Sequence, residues 1–193
     1  LEHMTAKTWA KGASLTAIAL AMAAAPAAAE PLKIGSLKPL TGDLQAYGEA
    51  NVNGVRLAVG QIVAAGGVDG EDVDLVVADT QTLPQAGVDA AQKLVNVDEV
   101  DAIVGAMSSG VTIPVATSVT AREGVATISP SATSPTITGL DDNDFLFRTA
   151  PSDAYQGVAL AKLVAEKGLD TVSIIYINNA YGEGLANAFQ QSF

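Results

Sequence analysis

The sequence predicts an α/β domain: a parallel sheet with helices on both faces. Three observations carry this. From Leu32 to Arg148, short apolar runs alternate with stretches of helical apolar spacing, the pattern of strand–helix–strand units and of parallel pairing. The joints between them are short and rich in Gly, Pro, Ser and Thr. Two apolar runs, Ala102-Ile103-Val104 and Val125-Ala126-Thr127-Ile128, end in small hydroxyl-rich loops, Gly105-Ala106-Met107-Ser108-Ser109-Gly110 and Ile128-Ser129-Pro130-Ser131-Ala132-Thr133. Open parallel sheets bind ligands beyond the carboxyl ends of their strands. Two such loops side by side form a rim of N–H, C=O and O–H groups that can hold a small polar ligand without a charged catalytic group.

The elements follow in order. Leu32 to Leu37 reads as the first strand and Pro39 to Asp43 as a loop. Gln45 to Ala65 has helical spacing, with Val52, Val55, Leu57, Val59, Ile62 and Val63 on its apolar face. Gly66-Gly67 ends it, because glycine tolerates the left-handed geometry of a helix C-terminus. Val73 to Ala78 is a buried strand followed by Asp79. Pro84 opens a helix that runs to about Val97. Ala102 to Val104 is the third strand, Val111 to Arg122 the third helix, Val125 to Ile128 the fourth strand and Phe145 to Arg148 the fifth. Pro39 to Tyr47, Asp79 to Leu83 and the two hydroxyl loops therefore converge on one edge of the sheet. The pattern then restarts, with a helix over Ala154 to Lys167, a strand over Thr171 to Ile177 and a helix from Tyr181 to Gln191. This last helix meets the end of the sequence at Phe193 without a cap, so a second lobe is expected to be only begun.

Composition bounds the function. The chain has 193 residues, 49% hydrophobic and 16% charged, with a formal net charge of -11. That charge disfavours non-specific nucleic-acid binding. With no cysteine, disulfides and thiolate metal sites are excluded. The one histidine, His3, lies in what reads as a cloning remnant, residues 1–3, which nearly excludes histidine-based catalysis and zinc binding. From Met4, a basic start (Lys7, Lys11), an apolar run from Ala13 to Ala25 and Ala27-Ala28-Ala29 read as a secretory signal peptide over residues 4–29. The apolar run is shorter than the roughly 20 residues of a spanning helix.

Several catalytic and cofactor readings fail on spacing. Gly105 to Gly110 is G-x-x-S-S-G rather than the G-x-S-x-G of a nucleophile elbow, and no histidine is available as a base. Gly182-Glu183-Gly184 lacks the third glycine of a dinucleotide fingerprint, Asn187 standing there, and reads as close backbone packing at a helix start. Asp69-Gly70-Glu71-Asp72 and Asp141-Asp142-Asn143-Asp144 lack the ligand spacing of a calcium loop and read as solvated turns. No cofactor is implied. Ser108, Ser109, Ser131 and Thr133 could act as caps and turn braces, with Ser109 capping the helix near Val111, or hold a ligand, and the two roles are compatible. A helix N-terminus offers unpaired N–H groups that suit a carboxylate.

The run from Lys33 through Tyr181 resembles the leucine/isoleucine/valine-binding proteins of ABC importers, the type I periplasmic solute-binding proteins. The resemblance rests on Pro39-Leu40-Thr41-Gly42 with Tyr47-Gly48, Ala65-Gly66-Gly67-Val68 with Gly70, and Val76-Val77-Ala78-Asp79. It continues through Gly105 with Ser108-Ser109, Ser129 to Pro135, Arg148-Thr149 and Tyr181-Gly182-Glu183-Gly184. It implies a three-layer α/β lobe over residues 30–150, then a hinge crossing and incomplete second lobe over 151–193. By resemblance, Ser109 holds the ligand carboxylate through hydroxyl and amide. Ser131, with Ala132 beside it, offers backbone groups, and the Thr133 hydroxyl contacts both carboxylate and ammonium. Tyr181 packs on the ligand after closure, Tyr47 walls the side-chain pocket, and Asp153 matches an acid near the hinge. Ser108 stands at a cysteine position of some relatives, and Ser131 where alanine is common. The second-lobe acid that usually meets the amino group would lie beyond Phe193.

The resulting expectation is a non-enzymatic, periplasmic binding component that captures a small carboxylate, an amino acid, by closure of two lobes and delivers it to a membrane ABC permease. The competing expectation is a sensory domain of the same fold that detects an amide or other metabolite for a receptor or regulator; an enzyme would need a base from outside this sequence. Exposed apolar surface over residues 154–193, with self-association, is expected as well.

Overall fold

The computed structural model describes residues 30–193; the cloning remnant and signal peptide read from the sequence lie outside the described residues. Five strands form one sheet: β1 (Leu32–Lys38), β2 (Val73–Asp79), β3 (Ala102–Val104), β4 (Ala126–Ser129) and β5 (Leu146–Arg148). Their order is β2-β1-β3-β4-β5, every neighbouring pair being parallel. Between them run α1 (Gln45–Ala64), α2 (Pro84–Asn96) and α3 (Ser109–Val115). From β1 the chain steps one way to β2, then back across β1 to β3. Right-handed crossovers therefore put α1 on one face and α2 on the other, which makes the three layers the sequence implied.

Strand register shows what each face buries. Leu37 and Ile103 point toward α2 and α3, where they join Leu94, Val111, Val115 and Val119 in the main core. The opposite face carries Ser36, Val104, Ile128 and Phe147 in one registered row. Ile128 and Phe147 on it are about half exposed.

The strand ends match the apolar runs to within a residue, with one consequential difference: β1 continues through Lys38, whose side chain is fully buried. The third helix departs further. Instead of one α-helix to Arg122, α3 is followed by a π segment, Ala116–Thr120, and a last α turn, Ala121–Glu123. Pro114 sits inside α3 and has no N–H to give the Gly110 carbonyl. The ladder then widens, and the Ala121 amide reaches back to the Ala116 carbonyl. The turn at Asp69-Gly70 closes between Val68 and Glu71, with both central residues at positive φ.

Beyond β5, α4 (Asp153–Glu166) and α5 (Ala180–Ser192) pack against each other. The strand expected over Thr171 to Ile177 is not formed. The segment keeps its apolar composition, but no other strand lies beside it among the described residues, and a strand exists only through ladder bonds to a partner. Ile175 is 99% exposed; the exposed apolar surface expected over residues 154–193 lies here. Gly182-Glu183-Gly184 is close packing, as read: a Cβ on Gly182 would collide with the Ile177 carbonyl, and one on Gly184 would press Pro135 and Ser134. No helix among the described residues is long and apolar enough to cross a membrane.

Candidate ligand-binding site

Chain direction across the sheet reverses between β1 and β3, and the loops leaving their carboxyl ends diverge there into a crevice, the usual binding position of an open α/β sheet. A cavity of about 470 Å³ occupies it. Asp43, Leu44 and Tyr47 reach it from the end of β1, Thr82 from β2, Met107 to Ser109 from β3, Ser131 and Thr133 from β4, and Asp153 from β5. Gln156 lines it from α4, Ile177 from the segment before α5, and Asn179 and Tyr181 from the start of α5. Seven of the eight site residues read from the sequence thus meet on one cavity: Ser108, Ser109, Ser131, Thr133, Tyr47, Tyr181 and Asp153. The eighth, Ala132, is fully buried and is not among the lining residues. Its amide donates to Ser129 Oγ (3.0 Å).

Four of the hydroxyls have a defined local role. Ser129, at the end of β4, donates to the Ala106 carbonyl (2.6 Å), which ties the two loops together at their base. Ser131 Oγ donates to the Met107 carbonyl (3.0 Å) and ties them again nearer the rim. Ser109 is not a cap, contrary to one reading of the sequence. Ser108 is the N-cap residue, with no side-chain cap bond, and Ser109 is the first residue of α3. The Ser109 hydroxyl instead accepts the Ser134 amide (3.2 Å), so its own proton stays available. In the first turn of α3 the Val111 and Thr112 amides donate to the Ser108 carbonyl (3.0 and 2.8 Å), which leaves the Ser109 and Gly110 amides at the helix start without an intrahelical carbonyl. Thr133 donates to Asp153 Oδ2 (2.7 Å), and the Asp153 amide returns a bond to the Thr133 carbonyl (2.9 Å). Asp153 itself is 2% exposed.

Two supports around the site were not legible as such in the sequence. Arg148, in β5, donates to the Ser134 carbonyl (2.9 Å) and the Thr138 hydroxyl, pinning the loop that carries Ser131 and Thr133. Asp79 receives the Leu40 amide (2.8 Å), the Gln81 amide (2.8 Å), the Thr41 amide (3.2 Å) and the Thr41 hydroxyl (2.6 Å). Burial pushes its carboxyl up, but those hydrogen bonds outweigh burial and hold it below the usual carboxylate range. A lowered pKa contributes stability that is present above the unfolded value and lost as pH falls through the folded one. Asp79→Asn is therefore expected to lower the melting temperature at neutral pH and to have a shrinking effect as the solution is acidified below about pH 4. An equal loss at pH 3 and pH 7 would contradict this.

Among the lining residues, Asp43 and Asp153 are carboxylates and none is Lys or Arg. Leu44, Met107 and Ile177, with the rings of Tyr47 and Tyr181, supply the apolar wall. Met107 neighbours Ser108, and Gln156 stands one helical turn after Asp153. Both were within reach of the sequence reading through position alone.

Fold and cavity together place the candidate site at the carboxyl ends of parallel strands. Residues 31–193 match the periplasmic binding protein family, and the chain belongs to that family. It is similar to the Leu/Ile/Val-binding protein BraC3 of Rhizobium johnstonii, 41% identical over 191 residues, 97% of this chain and 49% of that one. The Leu/Ile/Val-binding protein of Escherichia coli K12 is 34% identical over 182 residues, covering 93% of this chain and 49% of that protein. Among solved structures it resembles the branched-chain amino acid transporter substrate binding protein LivJ of Streptococcus pneumoniae in complex with isoleucine. That match has a TM-score of 0.71 and 31% identity, over 85% of this chain and 47% of that one. The chain spans about half the length of the curated relatives it matches.

Proposed function

We propose that this chain is the ligand-capturing part of an exported solute-binding protein that takes a branched-chain or similar small amino acid to a membrane ABC permease. One observation carries the reading: the loops of all five strands meet on a single cavity that offers neutral donors at Ser109 and an apolar wall. The carboxylate sits against the Ser109 hydroxyl and the first amides of α3, where unpaired N–H groups and the helix dipole favour an anion. The aliphatic side chain lies against Tyr47, Leu44 and Met107. Residues 30–150 act as one lobe, and residues 151–193 cross the hinge and bring Asp153, Tyr181 and Asn179 over the ligand. The chemistry is binding and closure, with no covalent step. Charge-assisted hydrogen bonds contribute roughly 1.5–3 kcal/mol each, so a few of them in a closed cleft support micromolar binding or tighter.

Titration calorimetry with leucine, isoleucine, valine, threonine, 4-hydroxybenzoate and succinate tests the reading. Heat is expected with the aliphatic amino acids and none with succinate, whose second carboxylate would face Asp43 or Asp153 without a cation beside it. Silence with every amino acid would overturn it.

A further inference from the structure

We propose that the segment 171–177 is a docking strand for a second copy of this chain, the two copies pairing antiparallel about a two-fold axis at Ile174. The segment is β-branched or aromatic at every position but Ser173, and it holds no charge, no Pro and no Gly. That is the composition of a strand that gains from a partner. Among the described residues, no amide from 170 to 178 donates to a backbone carbonyl. Ile174, Ile175, Tyr176 and Ile177 are all exposed. An uncharged, unpaired edge of this kind templates pairing with another chain.

The helices behind the segment ask for more cover than one strand supplies. The segment shares a cavity of about 640 Å³ with Leu160 and Val164 of α4 and with Leu185 and Phe189 of α5. Packed helices lie about 8–10 Å apart and paired strands about 4.8 Å apart, so a single strand leaves part of this apolar layer open. A second strand beside it covers more. A two-fold axis perpendicular to the pair keeps both sets of helices on one side of the joined strands, and the same surface serves both copies.

Side chains set the register. Centring on Ile174 pairs the whole segment with itself. Val172 then faces Tyr176 twice, a β-branched–aromatic pair that stabilises antiparallel strands. Ser173 faces Ile175, and Thr171 faces Ile177. The flanking Asp170 falls opposite the neutral Asn178, so no like charges meet across the pair although the chain carries -11 overall. A slip of one residue would send the helices of the two copies to opposite sides.

Sedimentation velocity of the chain over a range of concentrations, beside three variants, tests this. The native chain is expected to show a reversible monomer–dimer equilibrium. Ile174→Pro, which removes an amide at the centre of the pair, should leave a monomer. Ser173→Lys with Ile175→Lys sets lysine opposite lysine twice, and Ser173→Lys with Ile175→Glu sets lysine opposite glutamate twice. Both double variants lose the same native side chains. The first is the less acidic overall, so net repulsion between copies is weaker for it. The proposed register nevertheless makes its dimer at least about tenfold weaker than that of the second. A native chain that stays monomeric at every concentration would overturn the proposal. Equal dimers from the two double variants would overturn it too, as would an open-ended series of oligomers. A dimer that survives Ile174→Pro would place the interface elsewhere, on the exposed Tyr155 and Val158 of α4, and would also overturn it.

Discussion

Replacing Lys38 with Met is expected to stabilise the fold by about 3 kcal/mol below pH 8. It should also remove a rise in stability that the native protein shows between about pH 8 and the ordinary lysine range. Lys38 is the last residue of β1, is fully buried, and its Nζ meets no hydrogen-bond partner among the described residues. Burial alone lowers its pKa from 10.5 to about 8. The unfolded chain therefore holds this proton to a higher pH than the folded one. Where the unfolded state binds more protons, stability rises with pH. Below about pH 8 both states are charged and the full desolvation cost applies; it is relieved as pH climbs toward 10.5. Each pKa unit corresponds to about 1.4 kcal/mol, which sets the size of the effect. Met keeps the apolar stem and removes the charge. Chemical denaturation of both proteins from pH 7 to pH 10.5 checks this. Parallel curves would contradict it.

The second large effect is at Ser109. Ser109→Ala removes a rim hydroxyl with a free proton and leaves the Ser134 amide without its acceptor. Both groups are buried, Ser109 at 2% exposure. Loss of a hydrogen bond to a charged ligand group corresponds to roughly ten- to hundredfold in affinity. The unpaired Ser134 amide adds a stability loss of about 1–3 kcal/mol. Calorimetry with leucine reads the first effect and denaturation the second. A variant that loses stability but binds leucine normally would assign Ser109 a bracing role only.

The α/β class and the converging loops were legible because they rest on local signals. Apolar runs such as Ala102-Ile103-Val104 mark buried parallel strands, and their small polar exits mark the binding edge. What escaped the sequence depended on tertiary partners. Thr171 to Ile177 has strand composition, but composition cannot supply a neighbouring strand. Lys38 lies between the apolar run that ends at Leu37 and the loop that begins at Pro39, and only the folded sheet buries it. The π segment had a visible cause in Pro114, which the helical spacing of Val111 to Arg122 masked. At the site, residue types indicated the rim, but the direction of each hydroxyl did not follow from them. That Ser109 keeps its proton while Ser131 and Thr133 give theirs away depends on Ser134, Met107 and Asp153, each placed by the fold.

A crystal structure of the protein with L-leucine tests the binding arrangement most directly. The carboxylate should lie within hydrogen-bond distance of the Ser109 hydroxyl and the α3 amides, and the ammonium against Thr133 and Ser131. The isobutyl group should face Tyr47 and Met107. A leucine bound outside this cavity, or with its ammonium at Ser109, would contradict the assignment.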